Sequence, residues 1–158
     1  MITKKQLLNK KYNSFSFLNE EEENVEKTSD KNEGGTNNGD FAEMISILLH
    51  SRTQAHTLHL QTDSYSEHMA LNGYYSEIGD LVDGLVESFQ GKYGIIKGYK
   101  SMDIQEWKST QDTVKYMSNL CSQIEDLREC CKDSYIQNQI DTVCELINST
   151  NYKLRFLK

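Results

Sequence analysis

The chain has 158 residues, no proline and a formal net charge of −7 at pH 7. This length suffices for one domain with a hydrophobic core, and the lack of proline favours long uninterrupted helices. An acidic surface argues against nucleic-acid binding by the molecule as a whole. No apolar run approaches the length of a membrane span, and residues 1–11 lack the apolar segment of a signal peptide, so we expect a cytoplasmic protein without a membrane partner.

Residues 1–39 are predicted to form a flexible, disordered tail outside the folded domain. They combine an acidic block, Glu20–Glu23, with a polar run that contains Gly34, Gly35 and Gly39. Such composition buries too little apolar surface to fold. Its first eleven residues carry four lysines without an acid, and any contact with nucleic acid, which the net charge disfavours, would be limited to this arm: Lys4, Lys5, Lys10 and Lys11. A solvated tail is the alternative.

Two amphipathic helices are predicted to follow the tail. The first begins at Asp40, with Glu43 as a capping partner, and carries His56 near its C-terminal end. The second runs from Ser64 to Gln90, where Ser64 and Glu67 form a capping box. Its apolar residues recur every three or four positions, which is typical of a helix with one buried face; they are Leu71, Tyr74, Tyr75, Ile78, Leu81, Val82, Leu85 and Phe89.

The second half of the domain is predicted to contain two more helices. One spans residues 104–131 and includes Trp107, and the other begins with a cap at Ser134. A glycine-containing connection, residues 91–103, is long enough to cross the length of a bundle. Residues 40–158 are therefore predicted to form an all-α four-helix bundle, with a plain up-and-down bundle as the alternative. Four cysteines without Cys-x-x-Cys spacing are expected to be reduced thiols: Cys121, Cys130, Cys131 and Cys144.

Polar residues of the second helix form one stripe beside its apolar face. At about 100° per residue and with His68 at zero, Asn72 falls at about 40°, Asp83 at about 60° and Glu87 at about 100°. His68 and Glu87 are nevertheless about 28 Å apart along the axis. One helix cannot close one site with both residues. A second copy, antiparallel across a twofold axis, would set His68 and Asn72 against the partner's Asp83 and Glu87 and create two equivalent metal sites.

The spacing His56-x11-His68-x3-Asn72-x10-Asp83-x3-Glu87 resembles the intersubunit iron site of the DNA-protection-during-starvation (Dps) branch of the ferritin-like proteins. Their pattern is His-x11-His-x3-Asp-x10-Asp-x3-Glu, and the likeness covers about residues 40–91. Asn72 replaces the middle aspartate, and Thr57 stands where a tryptophan is usual. The chain is also similar to uncharacterised ferritin-like proteins of large tailed bacteriophages, in the stretch His56–Leu60 and at Tyr74 and Tyr75.

This resemblance implies a ferritin-like four-helix bundle with a long crossover between its second and third helices. It also implies a ferroxidase that oxidises Fe(II) with peroxide, in a twofold dimer and a 12-subunit shell, located in the host cytoplasm for a phage-encoded protein. His56 and His68 would supply neutral nitrogens, and Asp83 and Glu87 carboxylates. Such ligands suit Fe(II), Mn(II) or Zn(II). Asn72 brings no charge, which predicts one tight metal per site. Asp80 and Glu77 lie close on the same helix and could compensate, and Asp80 is the better placed of the two.

A structural or binding role is the alternative from a different class. In that interpretation the chain keeps a ferritin-like fold and its dimer contact, and the site is vestigial and non-catalytic. The polar stripe would then be a network of hydrogen bonds between histidines and carboxylates at the interface. Asn72 favours this alternative, whereas His56, His68, Asp83 and Glu87 favour the metal.

Overall fold

The structure, a computed structural model, describes residues 38–157, all within the unit Glu33–Lys158. They form four α-helices, named here α1 (Asn38–Gln61), α2 (Tyr65–Tyr93), α3 (Thr110–Leu127) and α4 (Ser134–Phe156). A short 3-10 helix, Arg128–Cys130, follows α3. Residues 38–157 contain no β-strand, so the prediction of an all-α bundle is confirmed for them. Residues 1–37 of the predicted tail, which include Lys4, Lys5, Lys10 and Lys11, lie outside the described part.

The predicted ends of α1 and α2 require small corrections. α1 begins at Asn38, so Asp40 lies in its first turn, and Glu43 pairs with Lys100 at 3.1 Å. Ser64 is the N-cap of α2 as predicted, and its hydroxyl accepts the N–H of Glu67 at 3.3 Å. α2 continues to Tyr93 and ends where Gly94 adopts φ +83°, a conformation that favours glycine.

The predicted start of α3 is wrong by six residues. α3 begins at Thr110, and Trp107 lies in the connection before it. Ser109 is the N-cap: its hydroxyl accepts the N–H of Asp112 at 3.2 Å and donates to the Asp112 carboxylate at 2.7 Å. At the next helix the N-cap is Asp133, one residue before the predicted Ser134.

The connection between α2 and α3, residues 94–109, runs along α1. Its successive backbone N–H groups donate to side chains progressively further along that helix. Lys100 donates to Ser46 at 2.9 Å, and Trp107 donates to Gln61 at 2.7 Å. Between them, the buried Gln54 side chain exchanges two hydrogen bonds of 2.7 Å with the backbone of Gln105. The chain therefore returns to the end of the bundle where α2 began.

This return sets the direction of the remaining helices. Thr110, the first residue of α3, lies beside Glu67 in the first turn of α2, so α2 and α3 run in the same direction. α4 then runs back between them, antiparallel to both. Arg128 of the 3-10 helix pairs with Asp141, and Gln139 donates to Ser88 of α2 at 3.0 Å. Successive helices of a plain up-and-down bundle would alternate in direction, whereas α2 and α3 do not.

The interior is apolar with few polar side chains, and each helix contributes residues at helical spacing. Phe41 and Phe89 stack at the end where α1 begins, with ring centroids 3.7 Å apart. Tyr74 is fully buried and hydrogen-bonds to Ser51 at 2.7 Å. Burial raises the pKa of the Tyr74 phenol, which therefore stays protonated at neutral pH. Between residues 38 and 157, no helix combines the length and the apolar character that a membrane crossing requires.

Candidate functional site

Histidines from α1 and α2 meet at the end of the bundle where the two helices join. The rings of His59 and His68 stack with centroids 3.6 Å apart. Each ring also reaches the other residue's backbone: Nδ1 of His59 lies 2.8 Å from the carbonyl oxygen of His68, and Nδ1 of His68 lies 3.0 Å from that of His59. His59 is a buried, packed histidine, and its contacts fix the orientation of the His68 ring.

These contacts determine the tautomer of both rings. A carbonyl oxygen only accepts, so Nδ1 of His59 and of His68 must carry the hydrogen. In the neutral ring, Nε2 of His68 is then the nitrogen with a free lone pair. A second hydrogen bond that fixes the ring in this way is typical of metal-binding histidines. The half-buried His68 is therefore oriented for Nε2 to serve as a ligand.

His56 and Asn72 join the same group through Tyr75. The exposed His56 ring stacks on the Tyr75 ring with centroids 4.3 Å apart, and lies 5.9 Å from the His59 ring. The Tyr75 hydroxyl donates to Oδ1 of Asn72 at 2.8 Å. The oxygen of Asn72 that would ligate a metal thus already accepts one hydrogen bond. This weakens it further as a ligand, beyond its lack of charge.

Asp83 and Glu87 lie elsewhere on α2. Asp83 follows His68 by 15 positions, about 22 Å along the helix axis. Both carboxylates are exposed, and neither has a hydrogen bond or an ion pair among residues 38–157. Within one chain, the structure brings His56, His68 and Asn72 together and leaves Asp83 and Glu87 apart. Over the described residues, no group of three or more His, Cys, Asp or Glu side chains is placed to hold a metal.

Glu67 is a buried carboxylate whose role the sequence did not reveal. It is only 1% exposed and accepts three side-chain hydrogen bonds, from Trp107 Nε1 at 3.2 Å and from the hydroxyls of Thr62 and Thr110 at 2.7 Å each. These donors come from the α1–α2 turn, the crossover and the first residue of α3. Glu67 therefore joins three segments next to the histidines. Its predicted return to the Ser64 N–H does not occur, because the hydroxyl of Thr62 accepts that N–H at 3.2 Å.

Arg52 is a second residue near the histidines that the sequence did not reveal. It lies on α1 one turn before His56, and its Nε donates to the carbonyl of Tyr75 at 3.3 Å. Its guanidinium covers Gly79, where an added Cβ would lie 3.4 Å from the Arg52 Cζ atom. A glycine in a helix interior is a signal of close approach by another group. Gly79 could have pointed to such a contact, although the sequence does not say which residue makes it.

The four cysteines are free, as predicted. Burial raises the pKa of the Cys121 thiol, and burial together with Cys121 and Glu125 raises the pKa of Cys144 to about 12. Cys130 and Cys131 are buried neighbours with sulfurs 3.5 Å apart. Cys121 and Cys144 are therefore protonated thiols at neutral pH, and neither is activated as a nucleophile.

Residues 59–154 match the model of a family of unknown function, DUF5856. The chain belongs to this family. The match includes His68, Asn72, Asp83 and Glu87 and begins after His56.

A relative in Enterobacteria phage T4 also matches this DUF5856 protein. The uncharacterized 14.6 kDa protein in the mobD-ri intergenic region is 26% identical over 112 residues, which are 71% of this chain and 85% of that protein. This agrees with the predicted likeness to phage proteins. No solved structure matches the chain. The descriptions of the family and of the T4 protein mention neither iron nor a ferritin-like fold, which stay predictions.

Proposed function

We propose that this DUF5856 protein is a ferritin-like iron-binding protein that oxidises Fe(II) at sites shared by two copies of the chain. The observation that carries the proposal is the separation of two complementary half-sites. His56 and His68 belong to one cluster of rings where α1 and α2 meet, whereas Asp83 and Glu87 are exposed and unpaired further along α2. The parallel directions of α2 and α3 and the crossover along α1 support the ferritin-like arrangement.

Two copies related by a twofold axis can complete both sites at once. With α2 antiparallel to the partner's α2, His68 opposes Glu87 and Asn72 opposes Asp83. The twofold rotation creates a second, equivalent site about 22 Å away. Each site then holds two imidazoles and two carboxylates, and the unpaired carboxylates gain a partner. The resemblance to Dps proteins extends the dimer to a 12-subunit shell that would store the oxidised iron.

Imidazole nitrogens and carboxylate oxygens suit Fe(II), and Mn(II) or Zn(II) would bind to the same donors. Iron is the substrate of the proposed reaction. Two Fe(II) ions each give one electron to hydrogen peroxide, the O–O bond breaks, and two protons complete two water molecules. The products are two Fe(III) ions. The carboxylates favour Fe(III) over Fe(II), because their attraction to a metal ion increases with its charge.

Asn72 sets the expected metal stoichiometry. Its side chain is uncharged, and its Oδ1 already accepts the Tyr75 hydroxyl at 2.8 Å. Two divalent ions would therefore share only Asp83 and Glu87 as negatively charged ligands. We infer one tight Fe(II) per site and a weak second one.

The test combines anaerobic Fe(II) titration with peroxide oxidation of the loaded protein. His68→Ala and Glu87→Ala should each abolish tight binding, while Glu77→Ala, an exposed carboxylate on another face of α2, should not. After co-refolding of the two inactive variants, a mixed dimer has one site with both lesions and one with neither. Binding and oxidation should partly return in the mixture. Proven mixed dimers without any recovery would refute a site shared between chains.

A structural role is the second candidate, and the Tyr75–Asn72 hydrogen bond favours it. That contact, the paired Nδ1 bonds and the ring stacks connect the histidines, Tyr75 and Asn72 into a network that needs no metal. The purified protein would then dimerise yet bind Fe(II) no better than the Glu87→Ala variant.

A further inference from the structure

We propose that Arg52 pairs with Asp80 of the partner subunit, and that this ion pair fixes the register of the twofold dimer. The inference rests on the antiparallel α2 pairing of the proposed function, and it adds an interface role that does not require a metal. A second copy of this chain is the partner. Arg52 acts as a positioning residue for the shared sites.

Arg52 is held in place without a carboxylate partner. Its Nε donates to the carbonyl of Tyr75 at 3.3 Å, and its guanidinium lies over Gly79, whose missing side chain makes the space. The residue is exposed, and no ion pair satisfies it among residues 38–157. An exposed guanidinium fixed by one bond retains N–H donors that can bind a carboxylate with two hydrogen bonds.

Asp80 of the same chain does not supply that carboxylate. On α2 it lies about 100° around the axis from Gly79, which Arg52 covers. Asp80 shares its side of the helix with Asp83 and Glu87, about 60° and about 20° away respectively. These three exposed carboxylates form one acidic stripe, and residues 38–157 give none of them a hydrogen bond or an ion pair.

The register of the dimer brings Arg52 and the partner's Asp80 to the same level. In the proposed dimer, His68 lies opposite the partner's Glu87 and Asn72 opposite the partner's Asp83. The same register sets Tyr75 opposite the partner's Asp80. Arg52 is bound to the backbone of Tyr75. Along the side of the molecule where α1 and α2 meet, Arg52, His56 and His68 therefore follow one another just as the partner's Asp80, Asp83 and Glu87 do. The two surfaces are complementary in charge at Arg52, and at the other two levels an imidazole faces a carboxylate.

The side chains are also small where the partner's α2 would approach. The proposed twofold axis passes between Glu77 and Ile78, and Ser76 is the residue nearest to it on the facing side. Gly79 lies beside Ser76 and is covered by the Arg52 guanidinium. A second helix that approaches at Ser76 would therefore meet that guanidinium.

Charge reversal tests the pair directly. In metal-free buffer, Arg52→Glu and Asp80→Arg should each raise the dimer dissociation constant about tenfold or more, because like charges then meet twice across the axis. The double variant restores opposite charges and should return most of the affinity. Glu77→Arg makes the same charge change as Asp80→Arg, but on another face of α2, and should leave the dimer dissociation constant unchanged. Sedimentation measures the dimer, and circular dichroism verifies that each variant is helical.

The outcomes separate this inference from the proposed function. Recovery in the double variant supports the pair, even where the wild-type dimer binds no Fe(II) and the metal site is thereby refuted. Single variants that dimerise like the wild type overturn the pair, although Fe(II) binding would still stand. Weaker dimerisation in both single variants without recovery in the double variant also overturns the pair, since Arg52 and Asp80 would then act separately. A wild-type chain that stays monomeric overturns both proposals.

Discussion

At the scale of single residues, Glu67 offers the sharpest stability prediction. Its buried carboxylate accepts hydrogen bonds from Thr62, Trp107 and Thr110. Glu67→Gln replaces one acceptor oxygen by a donor that faces donors, and should lower the free energy of unfolding by about 1–3 kcal/mol. Urea denaturation, monitored by Trp107 fluorescence and circular dichroism, measures this loss. Glu77→Gln, at an exposed position, should change the free energy of unfolding by less than about 0.5 kcal/mol. Equal stabilities of the two variants would contradict the role assigned to Glu67.

Asn72 carries the residue-scale prediction about chemistry. Asn72→Asp places a third carboxylate in each proposed site and should strengthen binding of the second Fe(II), since a charged oxygen replaces a neutral one. Titration should then show two tight ions per site where the wild type shows one. Tyr75→Phe is the matched control, because it removes the hydrogen bond to Asn72 without adding charge. A second ion that stays weak in Asn72→Asp would mean that charge is not what limits the site.

The same residues show how far sequence reasoning reaches. Helical periodicity predicted one stripe on α2 with His68, Asn72, Asp83 and Glu87, and the Dps-like spacing added His56 of α1. Neither pattern could predict the His59–His68 pair or the Arg52–Gly79 contact. Both depend on the register between α1 and α2, which packing sets. The tautomer of His68 likewise follows from a carbonyl oxygen nine residues earlier in the chain, at His59.

At the scale of elements, Asp133 joins the end of α2 to the beginning of α4. It accepts hydrogen bonds from Lys92 and Tyr93, each at 2.5 Å, and these contacts hold the pKa of its carboxyl below the ordinary aspartate value. A depressed pKa in the folded state stabilises the protein above the unfolded value of about 3.9, and this stabilisation is lost as pH falls through the folded pKa. Asp133→Asn should therefore lower Tm at pH 7, with a difference that shrinks below about pH 4. A difference independent of pH would contradict this assignment.

The helices themselves were largely predictable, and the errors lie where side-chain signals competed. The apolar spacing of α2 predicted its extent to within a few residues. At α3, the apolar Ile104 and Trp107 suggested an earlier start, although Ser109 with Asp112 is a good N-terminal capping pair. Gln54 and Gln61 of α1 bind the backbone of Gln105 and Trp107 and hold this segment extended. Such long-range contacts are invisible to local periodicity.

At the scale of the whole molecule, self-association should appear in the stability of the chain. Assembly that involves only folded chains stabilises them by mass action, so Tm should rise with protein concentration. We expect this rise between about 1 and about 100 µM without added metal, since the proposed Arg52–Asp80 pair needs none. Arg52→Glu should reduce it strongly, and the double charge reversal with Asp80→Arg should restore it. Calorimetry at several concentrations, with light scattering on the same samples, provides the measurement. A constant Tm together with a monomer mass would leave Asp83 and Glu87 without the partner that both proposals require.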